Sequence, residues 1–264
     1  SGKHQRDLRS WGDDKHRINL VKEWGLEKGG LADTPMVKHD RDNSSTPMPP
    51  HDATTYRRAT ARISYMAQDR GDLSFVASHL ATRMASPLCG DEMGIKRVIR
   101  YLLHQPQSAL QFPVQNNPNG VLVYVDSDWA NDVVTRRSTC GGIVVRGRHT
   151  VGWWSRRQAR VALSSCEAEL HALIKGASEG ILISSECDLF HLHSHITLRT
   201  DSSAAKGVAL RCDSGKLIHL AIKQRWLQEK TADGELSLEK APRENTPADS
   251  LTHEWCRKDW HFSA

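Results

Sequence analysis

The 264 residues are 38% hydrophobic and 25% charged, with a formal charge of +5 before 14 histidines are counted. That balance suits one large domain, or one domain with an extra piece, and its mild positive charge is compatible with a polyanionic partner. No apolar run approaches the ~18 residues of a membrane span. None of the cysteines Cys89, Cys140, Cys166, Cys187, Cys212 and Cys256 forms a C-x-x-C pair, and the chain is too long for a disulfide-dense mini-fold, so reduced thiols are the simplest reading. The polar start, SGKHQRDLRSWGDDKHR, shows no signal peptide and lacks an initiator Met, which reads as a processed end or a fragment.

Residues 1–50 are weakly patterned. HRINLVKEWGL (16–26) suits a short helix, and TPMVKHDRDNSSTPMPPHD (34–52), with its prolines and turn formers, reads as an extended connector. Residues 53–104 read as helices. Tyr56, Ala59, Ile63 and Met66 recur near helical spacing, as do Leu73, Val76, Leu80 and Met84, until Ser86-Pro87 stops the pattern. EMGIKRVIRYLLHQP makes a third helix, with Met93, Val98, Tyr101 and Leu102 expected inward and Lys96, Arg97 and Arg100 outward.

The pattern changes after about residue 108. LQFP reads as a short strand, and QNNPNG (115–120) as a turn. VLVYVD, CGGIVVRG and HTVGWWS read as strands joined by short turns. ALSSCEAELHALIKGASEGILISSECDLF is a long helix, HITLRTD a strand, SSAAKGVAL and KLIHLAIKQRWLQEK helices, GELSLEKA a strand, and TPADSLTHEW a final helix. Short turns imply an antiparallel meander, and helical connections imply parallel additions, so the expected fold class is α/β with a mixed sheet. Three spans follow: an N-terminal segment and linker (1–52), a helical segment (53–108) and a mixed domain (109–264).

Four carboxylates stand at element edges. Asp126 ends the YVD strand, Glu169 lies on the long helix, Asp201 ends HITLRTD, and Asp249 opens the last helix. They are far apart in the chain, so only tertiary folding brings them together. Taken singly, each is more often a turn or helix-end residue than a ligand. If they converge, four like charges in one place need cations or protons to coexist. Oxygen ligands with no thiolate favour magnesium or manganese. Two such ions about 4 Å apart clamp a phosphodiester.

The chain resembles the ribonuclease H domain of copia-type LTR-retrotransposon Pol polyproteins. The resembling stretches are YVDSDWAND, RRSTCGGIVV, WWSRRQARVALSSCEAELHAL, LRTDSSAAK, HLAIKQRWLQE and GELSLEKAPRENTPADSLT, in the family's order. Upstream, TPMVK, YRRATARISYMAQDRGDLSFVASHLATRMASP and IKRVIRYL resemble the segment joining the reverse-transcriptase palm to that domain. The resemblance implies a five-stranded ribonuclease H-like sheet flanked by helices over 109–264, behind a connection or thumb-like segment at 53–108. It implies Asp126, Glu169, Asp201 and Asp249 as the catalytic and metal-binding carboxylates, with two Mg2+ or Mn2+ ions. Asp128 and Glu167 are then neighbours; Asp128 shares a strand face with Asp126, and Glu167 points away from Glu169. Gly71, Ala221 and Gln224 depart from the family's usual residues, and the polymerase's paired aspartates are absent from the sequence.

The implied activity is metal-dependent hydrolysis of the RNA strand of an RNA–DNA hybrid during reverse transcription, with the polymerase domain of the same polyprotein as partner and no membrane. The implied location is the cytoplasm, within a virus-like particle, or the nucleus, without secretion. The 2′-hydroxyl distinguishes the RNA strand, and backbone contacts supply affinity. Candidates for those contacts are Arg136, Arg137, Arg156, Arg157 and Arg160, with Thr139 and Ser202 as hydroxyl donors. Arg-rich turns are usually solvated, and tryptophans are more often core than stacking platforms. His191, His193 and His195 alternate at strand spacing, a weak zinc signal. Two alternatives remain: a non-catalytic, host-co-opted module that binds nucleic acid or serves assembly, because fold does not fix function, and an integrase-type strand-transfer enzyme, against which the A-D-S-L-T ending and the upstream segment argue.

Overall fold

The computed structural model describes residues 8–11, 14–37, 46–210, 221–242 and 246–254. They divide chiefly into two compact units, Arg9–Gln111 and Phe112–His253.

The N-terminal unit is helical. Its elements are β1 (Leu8–Trp11), α1 (Asp14–Glu23), α2 (Pro50–Met66), α3 (Ser74–Ala81), α4 (Glu92–His104) and β2 (Ala109–Phe112). Pro50 occupies the first helical position of α2, where a missing N–H costs nothing. Tyr56, Ile63, Leu73, Ile95, Ile99 and Leu102 form the centre of the core. Leu20, Val21, Ala32 and Met36 share it, so this core begins well upstream of the expected boundary at 53. Met93, expected inward, is 48% exposed; Ile95 and Ile99 take the inward positions on α4. Within the core, Arg70 pairs with Asp72 at 2.6 Å, and the Tyr101 hydroxyl donates to Asp72 at 2.7 Å, so the buried charges are neutralised. β1 and β2 pair as a separate two-stranded sheet, so LQFP does not join the main one. Residues 38–45 of the expected connector lie outside the described residues.

The C-terminal unit contains β3 (Gly120–Asp128), β4 (Thr139–Arg146), β5 (His149–Arg157), α5 (Ser165–Leu189), β6 (His195–Thr200), α6 (Ser203–Leu210), α7 (Ala221–Ala232) and β7 (Leu236–Lys240). The sheet order is β5-β4-β3-β6-β7. β3, β4 and β5 form an antiparallel meander, with Gly147 at φ +61° in the tight β4–β5 turn. β6 and β7 add parallel strands through helical connections. This is a mixed α/β, ribonuclease H-like fold.

Val121, Val123 and Val125 alternate along β3 onto one face and pack with Leu170, Leu173 and Ala177 of α5. Gly176 permits that approach: a Cβ there would stand 2.4 Å from Val125 Cγ1. On the other face, Ile143, Val145 and Leu251 make a smaller core with Tyr124 and Trp153. The expected final helix is instead a five-residue 3-10 turn, Pro247–Leu251, that gives way to turn and bend at Thr252 and His253; Trp255, the last residue of the expected helix, lies outside the described residues. Among the described residues, no helix is long and apolar enough to cross a membrane.

Candidate metal centre

Strand direction assembles the site. β3 and β6 run parallel, with Tyr124 level with Arg199, so both strands end at the same sheet edge. Strand order also reverses between them, running outward from β3 through β4 to β5 on one side and from β6 to β7 on the other, a switch point at which open sheets commonly bind ligands beyond their carboxyl ends. Asp126 sits near the end of β3, and Asp201 directly follows β6. Glu169 arrives from the first turns of α5. Ser164 caps that helix, its Oγ accepting the Glu167 N–H at 3.2 Å, and the Glu167 carboxylate accepts the Leu163 N–H at 2.8 Å. Glu167 is thus a buried helix-start residue, while Glu169 faces the strand ends.

One carboxylate oxygen each from Asp126, Glu169 and Asp201 lies within 4.8 Å of the other two. Glu169 Oε1 accepts from the Ser127 backbone N–H at 3.2 Å and from the Ser127 hydroxyl at 2.9 Å. Glu169 Oε2 is buried with no hydrogen-bond partner. Burial, then the neighbouring Asp126 charge, pushes the Glu169 carboxyl up to about 8. Burial also pushes Asp126 up to about 6, opposed by the Thr252 hydroxyl and reinforced by the charges of Asp249 and Asp201.

Asp249 differs from the other three. It is exposed, its Oδ1 lies 3.5 Å from His253 Nδ1, and it stands outside the tight group while still acting on Asp126. The fully buried Thr252 ties this turn to the site: its Oγ1 contacts Asp126 Oδ2 and lies 3.0 Å from the Asp249 carbonyl oxygen. A hydroxyl has one proton to donate, so these two acceptors compete for it. Gly141, paired with Asp126 across β3 and β4, admits the turn, because a Cβ there would meet Leu251 Cβ at 2.7 Å.

An all-oxygen cluster with an orphaned buried carboxylate oxygen and two raised carboxyls fits a hard divalent cation, as a metal supplies the missing partner and neutralises the repulsion. The histidine trio does not fit one. His193 contacts Asp188 at 2.8 Å and His195 contacts Ser237 at 3.1 Å, and His191 is in none of the metal-spaced groups among the described residues.

The expected nucleic-acid contacts fall into several environments. Arg136 (φ +54°), Arg156 and Arg160 are exposed, and Arg137 is half-buried. Arg157 forms an ion pair with Asp132 at 2.5 Å. Thr139 is buried and donates to Asn131 Oδ1 at 3.0 Å. The Ser202 hydroxyl accepts the Ala205 N–H at 3.1 Å, opening α6. Sequence reasoning gave no role to Thr252, Ser127, Asn131 or Gly141. The signals were the T closing A-D-S-L-T, the S between the two aspartates of D-S-D, and the glycine pair after R-R-S-T-C.

No family model matches the chain. Among curated proteins, it is 30% identical to the Retrovirus-related Pol polyprotein from transposon RE2 of Arabidopsis thaliana over 90% of its own length, and 28% identical to that from transposon RE1 over the same share. It spans 16% of the length of each of these relatives. It is also 35% identical, over 48% of its length and 89% of the other's, to the Secreted RxLR effector protein 161 of Plasmopara viticola. Similar solved structures include RNase H1 from Halobacterium salinarum NRC-1, at 21% identity, with 50% of this chain and 93% of that one covered and a TM-score of 0.38. Another is a foamy viral protease-reverse transcriptase in complex with dsDNA, at 11% identity, covering 76% and 40%, with a TM-score of 0.47. Its homologues are thus retrovirus-related Pol polyproteins of Arabidopsis transposons, matched over 90% of this chain.

Proposed function

We propose that this chain is a metal-dependent endoribonuclease, a ribonuclease H, that hydrolyses the RNA strand of RNA–DNA hybrids during retrotransposon reverse transcription. The observation that carries the reading is the convergence of Asp126, Glu169 and Asp201 at one sheet edge, with a buried Glu169 oxygen left unpartnered. These three residues would hold Mg2+ or Mn2+, with Asp249 as the fourth carboxylate at the rim. Bound as a pair, such ions activate water and stabilise the leaving oxygen of a phosphodiester.

The protein's own contributions are positional. Ser127 fixes Glu169 through two donors, and Thr252 fixes Asp126 through one. Held carboxylates need little reorganisation when cations arrive. The exposed Arg136, Arg156 and Arg160 attract the backbone, with Arg137, Arg157, Thr139 and Ser202 closer to the folded surface. In the whole polyprotein, residues 109–264 would act as the ribonuclease H domain and 53–108 as the connection to the polymerase domain that delivers the hybrid.

The test uses hybrids labelled in either strand, alongside DNA and RNA duplexes, with Mg2+, Mn2+ or chelator. Cleavage confined to the RNA strand of the hybrid, leaving 3′-hydroxyl ends and abolished by chelator, is the expected result. Cutting of duplex DNA, or hybrid cutting indifferent to chelator, would refute the assignment.

A further inference from the structure

We propose that Trp129, Val161 and Leu163 form an apolar platform that packs against the sugar rings of a hybrid strand, while Arg136, Arg156 and Arg160 take its phosphates. The proposal rests on the reading above that the chain acts on an RNA–DNA hybrid.

Trp129 lies three residues past Asp126, just beyond the end of β3, and is 47% exposed. By contrast, Trp154 on β5 is 8% exposed, within the core. The Trp129 indole is fixed although it is exposed: Nε1 donates to the Ala162 carbonyl at 3.0 Å. Ala162 is buried, and its neighbours Val161 and Leu163 are 47% and 75% exposed. The two loops are knitted together at Ser138. Its hydroxyl accepts the Ala130 N–H at 3.1 Å, and its carbonyl accepts the Gln158 N–H at 2.7 Å. An indole pinned by its one polar atom, with large apolar neighbours left in water, is a preformed contact surface.

Place and charge identify the occupant. Leu163 immediately precedes Ser164, the cap of the helix that carries Glu169, so the platform borders the same sheet edge as the carboxylates. Among the described residues, Arg136, Arg156 and Arg160 have no carboxylate partner, whereas Arg157 is paired with Asp132. Arg136 shares the β3–β4 connection with Trp129, Arg160 shares the β5–α5 connection with Val161 and Leu163, and Arg156 stands at the end of β5 that leads into it; exposed cations on the segments that carry an aromatic face suit a sugar-phosphate chain, with arginine on phosphate and indole on sugar. A strand whose phosphate reaches the carboxylates passes along this edge.

The test is anisotropy of a labelled RNA–DNA hybrid with the full chain carrying Asp126→Asn, which blocks cleavage, at several salt concentrations. In that background, Trp129→Ala is expected to weaken binding about tenfold with the salt slope unchanged, and Trp129→Phe to stay within about threefold. Arg160→Gln is expected to lower the slope by about one. Leu163→Ser, at a site too exposed to disturb folding, is expected to weaken binding in the same direction and decides the matter if Trp129→Ala does not fold. Tight binding by the parent with no loss in Trp129→Ala or Leu163→Ser would overturn the platform and leave the nuclease reading intact. A parent that folds but binds no hybrid would overturn both. Self-association of the parent, abolished by Leu163→Ser without nucleic acid, would give the patch to a second copy and overturn the proposal.

Discussion

Glu169 anchors one oxygen on Ser127 and buries the other unpartnered, beside Asp126. The stability of the metal-free chain should therefore depend on pH in a defined direction. Both carboxyls are raised, Asp126 from 3.8 to about 6 and Glu169 from 4.5 to about 8, so the folded chain holds protons that the unfolded chain has released. Their contribution is complete below the unfolded values and is lost as pH rises through the folded ones. The metal-free thermal midpoint is expected to fall between about pH 5 and pH 8, and the rise produced by Mg2+ to grow over the same interval, because binding displaces those protons. Calorimetry at a series of pH values checks both slopes. Glu169→Gln is expected to raise the metal-free midpoint at pH 8 and to remove most of the Mg2+ response; an undiminished response would exclude Glu169 as a ligand. The acids were legible one at a time as strand-end and helix residues. Thr252 was not, because its bond to Asp126 crosses from one end of the domain sequence to the other and leaves no periodic trace.

At the level of elements, the site depends on the 3-10 turn lying close on β4. Gly141 makes room for it, since a Cβ there would meet Leu251 at 2.7 Å and the Thr252 methyl at 3.0 Å. Gly141→Ala is expected to cost about 1–3 kcal/mol, as overpacking does, and to weaken Mg2+ binding by moving Thr252 off Asp126. Denaturant unfolding and metal titration read the two effects separately; a destabilised variant with unchanged Mg2+ affinity would free Thr252 of any role at the site. Most elements were readable from periodicity, including the meander and the long helix. Two expectations failed for identifiable reasons. Ala248 and Leu251 are three residues apart, a spacing that serves a 3-10 turn as well as an α-helix, and the turn is what forms. Met93 was placed inward, but the buried stripe of α4 is Ile95, Val98, Ile99 and Leu102, and Met93 lies two residues before its start, off the stripe.

Across the whole molecule, the two units have separate cores, one built on Tyr56, Ile63 and Ile99 and the other on Val123, Leu173 and Leu198. Separate cores are expected to melt separately. Calorimetry should resolve two transitions, and Mg2+ should raise only the one lost when Gly176→Val forces α5 off β3; a single transition raised as a whole by Mg2+ would contradict this. The change from helical to strand periodicity falls near residue 108, and the main span of the second unit begins at Phe112. The beginning of the first was hidden, because Leu20, Val21, Ala32 and Met36 are too sparse to form a stripe and join the core only through tertiary packing. The most direct test of the central claim is cleavage of an end-labelled RNA–DNA hybrid by this chain and by Asp126→Asn, with Mg2+ varied. RNA-strand cutting that requires Mg2+ and falls by at least about a hundredfold in the variant is expected. Equal cutting by both chains, or a folded chain that binds the hybrid and leaves it intact at every Mg2+ concentration, would contradict it.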